Sequence, residues 1–280
     1  MPEIMKNMRE KAKMLVPFFV AFSMMLVLSC RCLAGEPATS VYQIRKAEKP
    51  PVIDGRIDTE EWRLAEWTDA FTGPYNPEGT DISLNKAFGT KACALWDSEH
   101  LYVAFVCMQP PPFYADRTER DAKLHEQDVA EVYLDVAGDM MQYVELHVSP
   151  LGTSGDIYHV WSAKPYFPSD KIDWKQTSAH KSDSAWDLDG FRAASAPIII
   201  DGKTVGWTVE AEIPVSGLLV KRGLSEKLAE GRKIRMNFLR YVYELSGDGK
   251  RIHRQLNWSK TMKGCPHVSP MNMQDALCSR

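Results

Sequence analysis

Beyond residue 40 the chain alternates apolar and polar residues in short runs, broken by Gly, Pro, Asp and Asn, with few helical periods. Period-two patterning of this kind predicts strands that each bury one face. The runs are Ala87–Trp96, Leu101–Cys107, Val129–Val136, Tyr143–Ser149, Thr204–Ile213 and Ile234–Tyr243. Two short helical turns are expected. One lies at Asp58–Glu66, where Asp58 or Thr59 can cap and Trp62 and Ala65 face inward; the other lies at Pro214–Leu219, opened by a proline. Residues 164–190 are rich in Pro, Ser, Asp and Trp and read as long loops. The fold class is all-β: an antiparallel β-sandwich, jelly-roll-like, with one or two short helices.

Two hairpins carry more detail. The first turns through Asp97–His100 and is apolar on both faces, so it is expected to be central. If Trp96 pairs with Leu101, Cys93 faces Ala104 and Cys107 points to the opposite face, which forbids a Cys93–Cys107 disulfide. In the second, Val132, Leu134, Val136, Val144, Leu146 and Val148 share one face. Glu131, Tyr133, Tyr143, Glu145 and His147 share the other. That second face reads either as the solvated outside of a sheet or as a shallow polar site edged by aromatics, the chemistry that holds sugars.

The first 34 residues are of a different kind. Lys6, Arg9, Lys11 and Lys13 precede an apolar run from Met14 to Leu28 that is shorter than the ~20 residues of a membrane span and fits a signal-peptide core. Residues 1–34 are therefore expected to be a signal peptide, with cleavage after Ala34 or, in a lipoprotein reading, before Cys30; residues 35–280 are expected to form a single domain. The chain is then exported: periplasmic, an outer-membrane lipoprotein or extracellular, touching membrane only through a lipid on Cys30. Removing the segment takes away five basic and two acidic side chains, so the net charge of −3 becomes −6. A mildly acidic surface without Lys/Arg blocks gives no footing for nucleic acid. Four cysteines remain, and in an oxidising compartment Cys265 with Cys278 would clip the C-terminal tail. The eight Trp residues make sugar stacking worth testing.

Five segments in order resemble the family 9 carbohydrate-binding modules: Pro51–Asp58 followed by Glu61-Trp62, Leu95–Asp97 with Leu101–Ala104, Glu126–Asp135, Gly206–Pro214, and Arg235–Arg240. The resemblance spans about residues 41–260. It implies a β-sandwich that binds oligo- or polysaccharide without cleaving it, often alongside glycoside hydrolases and with structural calcium. It also implies a ligand slot between two Trp, with an acid, an Arg and an Asn. The acid falls at Glu131. The other positions depart from the pattern: the first Trp falls at His125, the Arg and Asn at Glu145 and His147, and the second Trp near His267.

The candidate ligand-binding residues are therefore Glu131, His125, Glu145, His147 and Arg240, with Trp161 and Trp174 in the polar stretch as replacements for the clamp, and Trp186 beside them. Arg240 is read either as a ligand contact or as the partner of Glu131. Two imidazoles and a carboxylate could also take Zn²⁺. Asp54, Asp58, Asp128 and Asp135 are the candidate calcium ligands. Catalysis is not expected, because a flat sheet face offers little desolvation to raise one carboxyl pKa, and no Ser-His-Asp order, glycine loop or Cys-x-x-Cys pair occurs. The alternatives to sugar binding are a structural or protein-interaction sandwich and a carboxylate- or metal-dependent hydrolase.

Overall fold

The computed structural model describes residues 41–73, 88–167, 172–245, 247–259, 261 and 266–280. Its strands are β1 (Tyr42–Lys46), β2 (Thr90–Trp96), β3 (His100–Met108), β4 (Val129–Asp135), β5 (Gln142–Val148), β6 (Ser154–Trp161), β7 (His180–Asp183), β8 (Arg192–Ile200), β9 (Lys203–Pro214), β10 (Lys233–Leu245), β11 (Arg251–Asn257) and β12 (Gln274–Ser279). A six-residue helix, α1 (Ser216–Lys221), follows β9. All six strands expected from the patterning are present. The Asp58–Glu66 segment forms turns, with Asp58 Oδ1 accepting from the Glu60 amide at 2.7 Å.

The strands run in the order β7-β6-β5-β4-β10-β12-β1-β2-β3-β9-β8, with β11 beside β10. This path folds into two facing layers. Their shared core holds Val132, Leu146, Phe238 and Ile234 from one layer and Val103, Phe105, Trp207 and Val209 from the other. Phe105 and Phe238 meet edge to face, centroids 5.5 Å apart, across the interface. The all-β sandwich is as expected, with one refinement: β1 lies parallel to both neighbours, β12 and β2. That seam joins the two layers.

The β2–β3 register is the expected one, Trp96 opposite Leu101 and Cys93 opposite Ala104. Cys107 lies in the shared core, while Cys93 lies on the outer face under Trp62, Ile53, Ile57 and Ala65. Cys278 is buried in the core, and Cys265 lies outside the described residues.

One carboxylate fastens the covering segment. Glu210 accepts from Trp62 Nε1 at 2.8 Å and from the amides of Gly55 and Asp54 at 2.9 and 3.2 Å. Gly55 takes φ +83°, the left-handed region open to glycine.

The polar face of β4 and β5 is not solvated. Tyr133 and Tyr143 cluster with Trp161 and Leu239 of neighbouring strands and with Phe167, Val268 and Met273 from segments outside the sheet. Residues 161–167 and the segment after β11 therefore roof a face that alternation alone assigns to water. Residues 164–190, read as loops, also contain β7. Among the described residues no helix is long and apolar enough to cross a membrane.

Candidate functional site

Strand register assembles the site. Glu131 pairs with His147 and Tyr133 with Glu145 between β4 and β5; Tyr143 pairs with His159 between β5 and β6. His159 then pairs with Ser182, and Trp161 with His180, between β6 and β7. Because side chains alternate faces, these residues project to the same side.

They form a continuous hydrogen-bonded chain. His147 Nε2 lies 2.7 Å from Glu145 Oε1, and His159 Nε2 lies 2.8 Å from Glu145 Oε2. A carboxylate has no proton to give, so both imidazoles donate to it. His159 Nδ1 in turn faces His180 Nε2 at 3.0 Å and Ser182 Oγ at 3.1 Å. Rings brace the chain: Tyr143 stacks on His159 at 4.9 Å and His159 on His180 at 5.1 Å. His267 adds a further ring 6.1 Å from His180, and its carbonyl accepts from Tyr143 OH.

Glu131 is the exception within this chain. Its Oε1 stands 3.3 Å from His147 Nε2, but the single Nε2 proton is directed at Glu145, so Oε1 has no hydrogen-bond partner. Burial pushes the Glu131 carboxyl up to about 8, against the attraction of His147. Burial also disfavours a charged His147, but Glu131 and Glu145 outweigh it and lift that pKa to about 9. For Glu145, donation from both imidazoles overcomes burial and holds the carboxyl well below its usual range.

The interior of the site is closed and its rim is open. Glu131, Glu145, His147 and His159 are buried, His180 and His267 are half-buried, and His125 and Ser182 are exposed. His125 lies close enough to feel His147 and Glu145. Burial, and then His147, hold its pKa below the usual histidine value. His180 is lowered further, to about 4, by burial and then by the neighbouring His159 and His267. A depressed histidine contributes stability above its unfolded pKa near 6.5, and the contribution is lost as pH falls toward 4. An NMR titration of the His180 ring is expected to show a midpoint near 4; a midpoint near 6.5 would contradict this packing.

Two further predicted site residues lie elsewhere. Arg240 pairs with Ala130, while Leu239 pairs with Glu131, so Arg240 projects to the opposite face and does not meet Glu131. It is fully buried in the shared core, donating to Thr90 Oγ1, Met108 O and Gln109 Oε1. Trp161 is buried on β6 beside the site, its Nε1 donating to Tyr143 OH at 3.0 Å, so it has no free face for stacking. Trp174 is 67% exposed. It sits on the turn that leads into β7, where its carbonyl accepts from Thr177 Oγ1. Trp186 packs half-buried against Tyr158. Glu131 has no exposed surface, so a direct sugar contact is closed to it here.

The four proposed calcium ligands are not brought together. Asp128 and Asp135 stand at opposite ends of β4, seven residues or roughly 23 Å apart. Backbone amides already engage both: Asp128 accepts from Tyr114 and Tyr243, and Asp135 from Ala137, Gly138 and Met140. A different acidic group, Asp121, Asp156 and Asp187, surrounds the Arg120 guanidinium, which supplies its positive charge.

His159, His180 and Ser182 are additions that the patterning missed. The run Ile157-Tyr158-His159-Val160-Trp161 was the available signal, being β-branched and aromatic throughout.

Residues 53–148 match the family described as carbohydrate family 9 binding domain-like. The family 9 resemblance stands. No curated protein matches the chain. Three solved structures align with it over most of both chains. One is a family 9 carbohydrate-binding module from Caldicellulosiruptor kristjanssonii in complex with cellotriose, at 18% identity and TM-score 0.53, covering 85% of this chain and 93% of that one. The same organism's module in complex with glucose aligns at 19% identity and TM-score 0.53, covering 85% and 96%. A putative carbohydrate-binding protein from Bacteroides uniformis aligns at 12% identity and TM-score 0.60, covering 86% and 99%. These likenesses establish the family 9-like fold. The matched segment contains Glu131, Glu145 and His147; the imidazoles of β6, β7 and the C-terminal segment lie beyond it.

Proposed function

We propose that this chain is an exported carbohydrate-binding protein that holds a saccharide without cleaving it, with residues 1–34 as its export signal and residues 35–280 as one binding domain. The observation that carries the reading is the open rim on a family 9-like sandwich. Trp174 and Tyr166 are exposed, at 67% and 71%, on segments around the turn before β7 that Tyr166 N ties together by donating to Gln176 Oε1 at 3.1 Å, and β7 itself offers the His180 imidazole and the Ser182 hydroxyl for exchange with sugar hydroxyls. A solvated ring supplies the apolar face that stacks on sugar C–H groups, and His125, His180, His267 and Ser182 supply the polar contacts. Of these, His180 and Ser182 connect through His159 to Glu145, which fixes the His159 ring from behind.

The arrangement supports binding over hydrolysis for a steric reason. The Glu131 and Glu145 oxygens are close enough for catalysis, but His147 fills the space between them and the roof covers all three. A glycosidic bond has no place there. A second groove, of about 410 Å³ and lined in part by Glu48, Val52, Glu61, Arg63 and Leu95, shares none of the rim residues.

Titration calorimetry of the full chain against glucose, cellotriose and a wider oligosaccharide panel tests the reading. Binding is expected, and Trp174→Ala is expected to weaken it about tenfold, roughly the 1.4 kcal/mol of one ring contact. Silence across the panel from a folded sample would reject it. Full affinity in both Trp174→Ala and Tyr166→Ala would move the site away from this rim.

A further inference from the structure

We propose that Glu131, Glu145 and His147 form a binding site for a single divalent metal ion of the zinc type. Three observations carry this. One donor atom each of Glu131, Glu145 and His147 lies within 4.8 Å of the other two, on buried side chains that adjacent strands hold in register. Glu131 Oε1 is fully buried, points at the cluster and has no hydrogen-bond donor. Such an atom carries the cost of its lost hydration until a partner satisfies it. The third observation concerns charge. With their protons displaced by the ion, two carboxylates and a neutral imidazole carry −2 beside the apolar side chains of Tyr133, Leu239 and Met273. A divalent ion cancels that charge and supplies the missing partner of Glu131 in one step.

The geometry suits an ion of low coordination number. Zinc holds imidazole nitrogen and carboxylate oxygen at about 2.0–2.2 Å, which sets tetrahedral ligand atoms roughly 3.4 Å apart. His147 Nε2 and Glu131 Oε1 already stand at 3.3 Å. Nε2 and Glu145 Oε1, at 2.7 Å, open by about 0.7 Å as the proton between them leaves for solvent and the ion takes the nitrogen lone pair. Glu145 Oε2 keeps its bond from His159 Nε2, the outer support that orients a ligating carboxylate. Calcium, which takes six to eight oxygens, does not fit a three-atom site containing a nitrogen. The fourth tetrahedral position is left to water or to another ligand atom.

The test uses the full chain without a polyhistidine tag, stripped with EDTA and titrated with ZnCl₂ by calorimetry and native mass spectrometry. One ion per chain is expected. Glu131→Gln and His147→Gln are each expected to weaken binding at least about 100-fold. His125→Gln and His267→Gln, on the rim, are expected to change it less than threefold. X-ray absorption on the unsubstituted zinc-loaded protein gives a readout that does not depend on variants folding. It is expected to show one imidazole and the rest oxygen at about 2.0–2.2 Å. A folded protein that takes no zinc, a first coordination sphere with two or more imidazoles, or a loss that follows His125 and His267 would each overturn the proposal.

Discussion

Arg240→Met is expected to lower the free energy of unfolding by about 3 kcal/mol, the usual cost of removing one partner from a buried charged group. The guanidinium is fully buried. It donates to Thr90 Oγ1 at 3.0 Å, Met108 O at 3.1 Å and Gln109 Oε1, and it lies 5.3 Å over the Trp207 ring. Gln109 passes the connection on through its amide, which donates to Asp128 Oδ2 at 2.9 Å. Methionine fills much of the volume but leaves a carbonyl and an amide oxygen without donors and leaves the buried Asp128 carboxylate without its nearby positive charge. Burial disfavours the charged arginine and holds its pKa below the usual value, so the side chain persists because these acceptors require it. Urea denaturation is the check: the midpoint should fall with the m-value unchanged, and zinc and saccharide titrations should match the unsubstituted protein. A loss under 0.5 kcal/mol would show that the network relaxes around the substitution.

Gly55→Ala is the second large effect, expected to cost about 3 kcal/mol and to lower Tm by roughly 10 °C in a domain of this size. Two costs combine. At φ +83° a Cβ is strained in itself, and the added atom would sit 2.6 Å from the Ser195 carbonyl carbon and 2.8 and 2.9 Å from the amide nitrogens of Ser195 and Ala196. Those are backbone atoms of β8 and cannot rotate away. Moving Gly55 would also break its 2.9 Å bond to Glu210 Oε2, the carboxylate whose other oxygen holds Trp62 Nε1 over the outer face of β2 and β3. A calorimetric Tm within 2 °C of the unsubstituted protein would contradict the close approach.

These two positions show what the sequence made legible. Gly55 and Trp62 belong to the opening motif of the resemblance, and Glu210 and Arg240 to its later ones; their work is to hold the layers and coverings together. The sandwich was readable because period-two alternation and a two-sided apolar hairpin are local properties. The β4–β5 face was readable as a set of residues, and Glu131, Glu145 and His147 do converge. Its burial was not readable, because the roof comes from residues 161–167 and 266–273, far away in sequence, and alternation cannot report a distant segment laid over a strand. Arg240 was misread because one residue of register decides its face, and that register appears only when β10 is paired with β4. The histidines of β6 and β7 were missed with their strands: β7 has four residues, too few to show a period.

The seam between β1 and β12 determines how the domain responds to load. These strands run parallel, Tyr42 beside Ala276 and Arg45 beside Ser279, so residue 41 and residue 280 lie at opposite ends of one ribbon. Tension applied between those two points slides the strands lengthwise, and every bridging hydrogen bond bears the force together. An antiparallel seam pulled in the same way would unzip one bond at a time. Arg45 Nη1 to the Arg280 carbonyl at 3.0 Å and Trp96 Nε1 to the Ser279 carbonyl at 2.9 Å add cross-ties at the exit end.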